Sequence, residues 1–224
     1  MGENDYYLFT DGSSYIKNKY YEASSAGILF SGSSEVIFKY GKFHEGGTNS
    51  YGELYAVYLG LYLLTNLIDR GILENRKIHV ISDSDYVIKS LTSYVNNWSN
   101  VHRDVVWKKS DVQDVMYQDI FKNIYYDYMM NSKYDISFYH IKGHVKSSGM
   151  KNKHYKFNKV NGSNVDFITF ARFVSYNHQV DSLAVMIRSN KKDYYEGTGK
   201  EDVSEWAKNI ININPSKKLL IHMI

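Results

Sequence analysis

Residues 53–70 carry the clearest periodicity in the chain. Leu54, Val57, Leu61, Leu64 and Ile68 recur at helical spacing, and Gly71 closes the run. Ahead of that helix the pattern is one of strands. Residues 5–10 are aromatic and aliphatic and break at Asp11-Gly12, and residues 26–30 and 35–43 form two more runs joined across Ser31-Gly32-Ser33-Ser34. Together they predict an antiparallel meander. After the helix, residues 77–82 read as a buried strand, and residues 84–95 as a helix with Val87, Ile88 and Leu91 inward. A long helix is expected over 111–131, led by Val115, Ile120 and Ile124. A fifth strand follows over 135–142, where the imperfect alternation suits a strand covered on both faces. Residues 145–176 are basic and glycine-dotted, then apolar from 165 to 174. They predict a long functional loop that folds back as a short strand or helix. Helices are expected again over 177–189 and 201–209, with an apolar end at 219–224 beyond the single proline, Pro215.

Composition narrows the class. At 224 residues and 43% hydrophobic content, the chain can bury a sizeable core in one domain. The net charge of +3 is mild but unevenly placed. Residues 142–159 hold six lysines and no acid, with His144, His154, Tyr155 and Phe157 interleaved. The absence of cysteine excludes disulfides and thiolate metal sites and leaves carboxylate metal sites open. The first residues lack the basic and apolar regions of a signal peptide. The longest uncharged apolar stretch, 54–67, is too short and too rich in tyrosine to span a bilayer. A cytoplasmic protein without a membrane partner is therefore expected. Richness in Tyr, Asn, Lys and Ile is that of an AT-rich genome, viral and phage genomes included, and host cytoplasm would then be the location.

The chemistry rests on four acidic residues. Asp11 follows Phe9-Thr10 at the expected end of the first strand, and Glu53 opens the long helix after Thr48-Asn49-Ser50-Tyr51-Gly52. Asp83 ends the strand Ile78-His79-Val80-Ile81-Ser82, and Asp181 lies at an expected helix start after Asn177. Each alone has an ordinary reading: Asp-Gly as a turn, Glu53 and Asp181 as first-turn acids favoured by the helix dipole, Asp83 or Asp85 as a helix cap. As a set they point to metal-dependent phosphodiester chemistry. Magnesium wants hard oxygen ligands and keeps several waters. Two such ions, roughly 4 Å apart, hold the attacking water and the leaving oxygen of an in-line displacement. Crowded carboxylates repel one another, and cations offset that repulsion.

In these motifs the chain resembles type 1 ribonuclease H of the bacterial and retroviral kind, over about residues 5–190. Thr10-Asp11-Gly12-Ser13 matches the family's first-strand motif, and Thr48-Asn49 with Glu53-Leu54 matches its helix start. Ser82-Asp83-Ser84 with Tyr86-Val87 matches the family's Thr-Asp-Ser-x-Tyr-Val, and Asn97-Trp98 resembles the Asn-Trp that follows one helix later. Lys142-Gly143-His144 matches the Lys-Gly-His before a flexible loop. Asn177, Asp181, Leu183 and Ala184 match the final Asn-x-x-x-Asp-x-Leu-Ala.

The resemblance implies an α/β, ribonuclease H-like fold with a five-stranded mixed sheet, three antiparallel strands first, flanked by helices. Residues 1–190 would form the catalytic domain, with 145–176 inserted before the last catalytic helix, and 191–224 a C-terminal extension. It implies Mg²⁺-dependent cleavage of the RNA strand of RNA–DNA hybrids, with Mn²⁺ as an alternative ion, leaving 5′-phosphate and 3′-hydroxyl ends. Asp11 would bridge two ions, Glu53 and Asp83 would hold one, and Asp181 the other, with His144 assisting proton transfer or product departure. Substrate contacts are expected from the backbone near Gly12 and Ser13, from Thr48 on a DNA-strand phosphate, from Asn49 reading 2′-hydroxyls, and from Ser50, Asp85, Trp107, Lys108, Lys142 and Asn177. A monomer is expected.

The chain departs from the family in three places. Ser50 stands for the usual second asparagine, Asp85 for a frequent glutamine, and the connection after His144 is much longer than usual. The segment carrying Trp107-Lys108-Lys109 sits where many members have a more basic substrate-binding protrusion. Two other readings stay open on sequence: a related DNA nuclease such as a junction resolvase, and an inactive nucleic-acid or protein-binding module.

Overall fold

The computed structural model describes residues 2, 4–17, 20–98, 103–145, 147–197 and 205–209. Its centre is a mixed sheet of six strands in the order β5-β4-β1-β2-β3-β6. The strands are β1 (Tyr6–Lys17), β2 (Tyr20–Ser31), β3 (Val36–Glu45), β4 (Ile78–Ser82), β5 (Ile136–His140) and β6 (Tyr194–Gly197). The meander β1-β2-β3 is antiparallel, whereas β4 runs parallel to both β1 and β5.

The sheet corrects two expectations. It has six strands rather than five, because β6, from the region read as an extension, pairs antiparallel with β3. Strand β1 also does not break at Asp11-Gly12. Pairing with β2 runs on, Asp11 opposite Ala26 and Gly12 opposite Ser25, to Lys17 opposite Tyr20. A ladder available along the whole of β2 outweighs the local turn preference of Asp-Gly.

One face of the sheet is covered by α1 (Asn49–Asp69), α2 (Asp85–Lys89), α3 (Val95–Trp98) and α4 (Gln118–Asn123). Helix α1 starts four residues before Glu53, since Thr48 is its N-cap and accepts from the Tyr51 backbone N–H. Its side chains are buried almost all round, which suits a helix packed between a sheet and further helices. The helix expected over 84–95 is drawn out by a π-helical segment, Ser90–Tyr94, between α2 and α3. The helix expected over 111–131 is shorter, α4 continuing into a π-helical segment, Ile124–Met129, while Lys108 and Asp114 form a bridge ahead of it. Residues 205–209 are helical, with Ala207 buried and the Arg70 guanidinium over the Trp206 ring. The rest of the helix expected over 201–209 and the apolar end at 219–224 lie outside the described residues.

The opposite face is covered by α5 (Met150–Asn161) and α6 (Phe167–Asn190). Here the expected loop over 145–176 is replaced by regular structure. Asp166 caps α6 through the backbone N–H groups of Ile168 and Thr169, so the helix begins ten residues ahead of Asn177. Phe157, Phe170 and Phe173 fill the space under Phe9 and Tyr7, which makes this a second apolar core. Among the described residues no helix is long and apolar enough to cross a membrane.

Candidate active site

Asp11 stands in the middle of β1, where the strand passes the start of α1. The crossing is close: a Cβ at Gly12 would lie 2.4 Å from the Glu53 backbone nitrogen, so only glycine lets the strand approach the helix. That approach sets Asp11 beside Glu53. Asp83 follows the last residue of β4, which pairs with β1 in parallel register, Thr10 opposite Ser82. Asp181 comes from α6 on the other face, one turn beyond Asn177, so both project from the same side of the helix. It therefore sits inside a helix rather than at the helix start that the sequence pattern predicts.

The structure thus gathers the four carboxylates from β1, α1, the end of β4 and α6. The Asp11 carboxyl, only 6% exposed, is pushed up to about 8 by burial and by the negative charges of Asp83, Asp181 and Glu53. Burial also raises Glu53, and Asp83 adds to that, while hydrogen bonds from Ser84 and Asn49 act the other way. Ser84 Oγ donates to Glu53 Oε2 at 2.6 Å and Asn49 Nδ2 to Oε1 at 2.8 Å. Asn177 Nδ2 donates to Asp83 Oδ2 at 3.2 Å, and the Gly12 N–H to Asp11 Oδ1 at 2.7 Å.

Among the described residues no three histidine or acidic side chains are drawn together as a closed metal cage. The donor set nevertheless fits a hard, hydrated cation. The oxygens are carboxylate, their mutual repulsion is uncompensated, and magnesium-type ions take few protein ligands alongside water and phosphate. Asn177 Oδ1, buried without a partner, adds one more oxygen acceptor at this place.

A cleft of about 420 Å³ opens beside the cluster, lined among others by Asp83, Lys142, His144, Asn177, His178 and Asp181. Its roof is the Lys142-Gly143-His144 turn. A Cβ at Gly143 would come within 2.3 Å of Asp83 Oδ2, so glycine is what allows the turn to lie on the carboxylate. His144 itself takes a left-handed conformation, φ 51°, and is exposed at the rim, as is Lys142.

The remaining expected contacts divide. Thr48, Asn49, Ser50, Gly12 and Ser13 lie together where β1 meets the start of α1. The Thr48 hydroxyl is engaged with the Tyr117 hydroxyl at 2.7 Å, beside a second cavity of about 450 Å³ lined by Lys42, His44, Tyr51 and Tyr117. Asp85 is exposed and pairs with Lys89 at 2.7 Å. Trp107 is a correction: it is fully buried, packed against Trp98, Tyr125 and Tyr126, and so belongs to the core rather than to a substrate surface. Lys108 is held in an ion pair with Asp114.

Sequence reasoning passed over four residues that touch the site. Ser84 both caps α2 and holds Glu53, and its place after Asp83 at a helix start was the available signal. His178 follows Asn177 in the motif. His140 reaches the Asp83 carbonyl at 3.2 Å, and Tyr117 reaches Thr48 from the turn before α4, for which no local signal exists.

The RNase H family model matches residues 3–188. Among solved structures, LC9-RNase H1, a type 1 RNase H with the type 2 active-site motif, is similar with a TM-score of 0.58 at 12% identity. That match covers 92% of this chain and 82% of the other. The foamy viral protease-reverse transcriptase in complex with RNA/DNA hybrid is similar at 0.53 and 16%, covering 71% of this chain and 19% of that one. The foamy viral protease-reverse transcriptase in complex with dsDNA gives 0.50 and 15%, covering 71% and 95%. At these identities the structural likeness concerns the fold alone. No curated protein matches the chain.

Proposed function

Because this chain belongs to the RNase H family and is a ribonuclease H, we propose that it hydrolyses the RNA strand of RNA–DNA hybrids at the Asp11–Glu53–Asp83–Asp181 cluster. The observation that carries the reading is the convergence of these four carboxylates from four elements, with the Asp11 carboxyl raised by burial and then by the other three. A protein with a similar fold in part of its chain, the foamy viral protease-reverse transcriptase, is found in complex with RNA/DNA hybrid, which supports this reading.

Asp11, Glu53, Asp83 and Asp181 would hold two divalent cations, Mg²⁺ in the first place and Mn²⁺ as an alternative. When bound, such ions supply the positive charge that activates an attacking water and stabilises the leaving oxygen. The protein's own residues prepare the site. Ser84 and Asn49 fix both oxygens of Glu53, and Asn177 fixes Asp83, so these ligands are oriented before substrate arrives. Water attacks phosphorus and the bond to the 3′-oxygen breaks, which leaves a 5′-phosphate and a 3′-hydroxyl. His144, exposed at the rim of the cleft, would pass a proton to the departing oxygen or help the product leave. Gly12 backbone groups and Asn49 face the RNA 2′-hydroxyls, Thr48 a DNA-strand phosphate, and Lys142 the backbone at the cleft. The enzyme would work as a monomer.

The test is cleavage of an end-labelled hybrid with Mg²⁺, beside single-stranded RNA and duplex RNA and DNA. Cutting of only the hybrid's RNA strand, abolished by EDTA, is the expected result. Cutting of duplex DNA, or no cutting with Mg²⁺ or Mn²⁺, would overturn the reading.

A further inference from the structure

From Lys142 to Val165 the chain has six lysines and no acidic residue, and the structure turns half of that stretch into α5. Elsewhere in the molecule lysines tend to be neutralised: Lys39, Lys42, Lys77, Lys89 and Lys133 each form an ion pair with a carboxylate. Among the described residues, none of Lys151, Lys153, Lys156 and Lys159 on α5 does so. Lys153, Lys156 and Lys159 recur every three residues, a spacing at which like charges on a helix repel. The helix also has no side-chain cap at Gly149 and no acidic residue in its first turn. On its own this segment is a poor helix.

Tertiary contacts hold it instead. Phe157 is buried against Phe170 and Phe173. Asn161 takes the His140 N–H at 2.8 Å and donates to the His140 carbonyl at 2.9 Å, completing both backbone groups on the edge of β5. His140 in turn reaches the Asp83 carbonyl, and Met150 at the other end of α5 lines the cleft. The helix is therefore fixed beside the active site. Its outer side presents Lys151, Tyr155 and Lys159 in successive turns, with Lys156 alongside, all exposed, Tyr155 at 64%.

We propose that this face of α5 binds the phosphate backbone of the nucleic-acid duplex just outside the cleft. Lys151 and Lys159 stand about 12 Å apart along the helix at 1.5 Å per residue. That length spans roughly three to four phosphates of one strand at 3.4 Å each. Tyr155, between them, offers a hydroxyl to the same backbone. The surface takes the role that the Trp107-Lys108 segment does not fill, since that tryptophan is buried and that lysine paired. The inference rests on the reading that the cleft accepts a hybrid.

The test compares the full-length enzyme with Lys151→Gln/Lys156→Gln/Lys159→Gln. A control, Arg76→Gln/Lys77→Gln/Lys133→Gln, removes three cations at the opposite end of β4 and β5, each paired with a carboxylate. Binding of a 20-base-pair hybrid is followed in EDTA across 50–300 mM KCl. The α5 variant is expected to bind about tenfold more weakly near 100 mM salt. Its slope of log K against log salt should be shallower by about 2 to 3, because each phosphate neutralised by a lysine adds about 0.9 to that slope. With Mg²⁺ the loss should fall on KM, and a hybrid just long enough to fill the cleft should show none of it. An unchanged slope, a slope change equal to the control's, or the same loss on the short hybrid would overturn the proposal. A parent enzyme that cuts no hybrid would instead refute the functional reading beneath it.

Discussion

The carboxylate cluster and helix α5 border the same cleft but are constructed in contrasting ways. In the cluster, charge of one sign is partly or wholly buried, and three of the four carboxylates are held by a neighbour: Ser84 and Asn49 on Glu53, Asn177 on Asp83, the Gly12 N–H on Asp11. Its geometry depends on two close approaches at glycine, Gly12 against the α1 backbone and Gly143 against the Asp83 carboxylate. On α5, charge of the opposite sign is exposed, and the helix is anchored by Phe157 in the core, by Asn161 on β5, and by His154 and Asn158 on the Val165 backbone. Groups that perform chemistry need fixed positions within a fraction of an ångström, whereas groups that attract phosphate need only be close, charged and wet. Changes in the first region should act sharply and on turnover, and changes in the second gradually and through salt.

The largest effect expected is from Asp11→Asn. Cleavage should fall by roughly 10³-fold or more, since the residue shared by the whole cluster loses its charge. The thermal midpoint should hold or rise, because burial and the neighbouring acids already disfavour an ionised carboxyl at this position and a neutral amide escapes that cost. An active Asp11→Asn enzyme would place the chemistry elsewhere. Gly143→Ala comes next. The added methyl meets Asp83 Oδ2, so displacement of that carboxylate should lower kcat by about 10- to 100-fold. The same change should leave the salt slope of hybrid binding alone, which separates it from the α5 variants.

A smaller effect concerns what supports Glu53. Ser25 donates to the Gly52 carbonyl at 2.7 Å and meets His44 Nε2 at 2.7 Å, so the buried ring must carry its proton on Nε2. Burial, with Lys42 nearby, holds His44 down at about 3 against 6.5 for a free imidazole. Below pH 6.5 the unfolded chain takes up a proton that the folded one refuses, so stability is present above that pH and is lost as pH falls. Urea unfolding between pH 6 and 4 should show the parent losing up to about 2 kcal/mol more than His44→Gln, at ~1.4 kcal/mol per unit. Parallel pH profiles for the two would remove His44 from this role. The smallest effect is Ser84→Ala, which deletes a helix cap and a hold on Glu53. About 1 kcal/mol of stability should go with it, together with a loss in kcat that Ser84→Thr restores.

Local signals carried much of this molecule. The leucine spacing announced α1 from Glu53 onward, and the two strands after it followed from the short apolar runs over 77–82 and 135–142. The four acids were singled out because each sat at a boundary of the hydrophobic pattern, although Asp11 stands within β1 and Asp181 within α6. Other parts were not legible for a physical reason. Helix α5 has one fully buried residue, Phe157, so no apolar period marks it, and its helicity comes from being clamped to β5. Helix α6 did show a cap, Asp166 with Thr169, but the apolar run that follows looked like a separate piece. Trp107 resembled a surface residue beside two lysines, and only the packing of Trp98, Tyr125 and Tyr126 around it put it in the core.

What the sequence by itself determined was the opening meander, helix α1, the strands after it, and where acids and glycines fall along them. These are local properties, set by side-chain period, capping and the missing Cβ. Tertiary structure decided how far β1 runs, that a sixth strand closes the sheet beyond β3, that Asp181 sits within a long helix, and that the lysines after His144 line up beside the cleft. Each of these depends on a partner distant in sequence, β2, β3, β1 or β5, and pairing energy gained across the fold outweighs the preference of the segment taken alone.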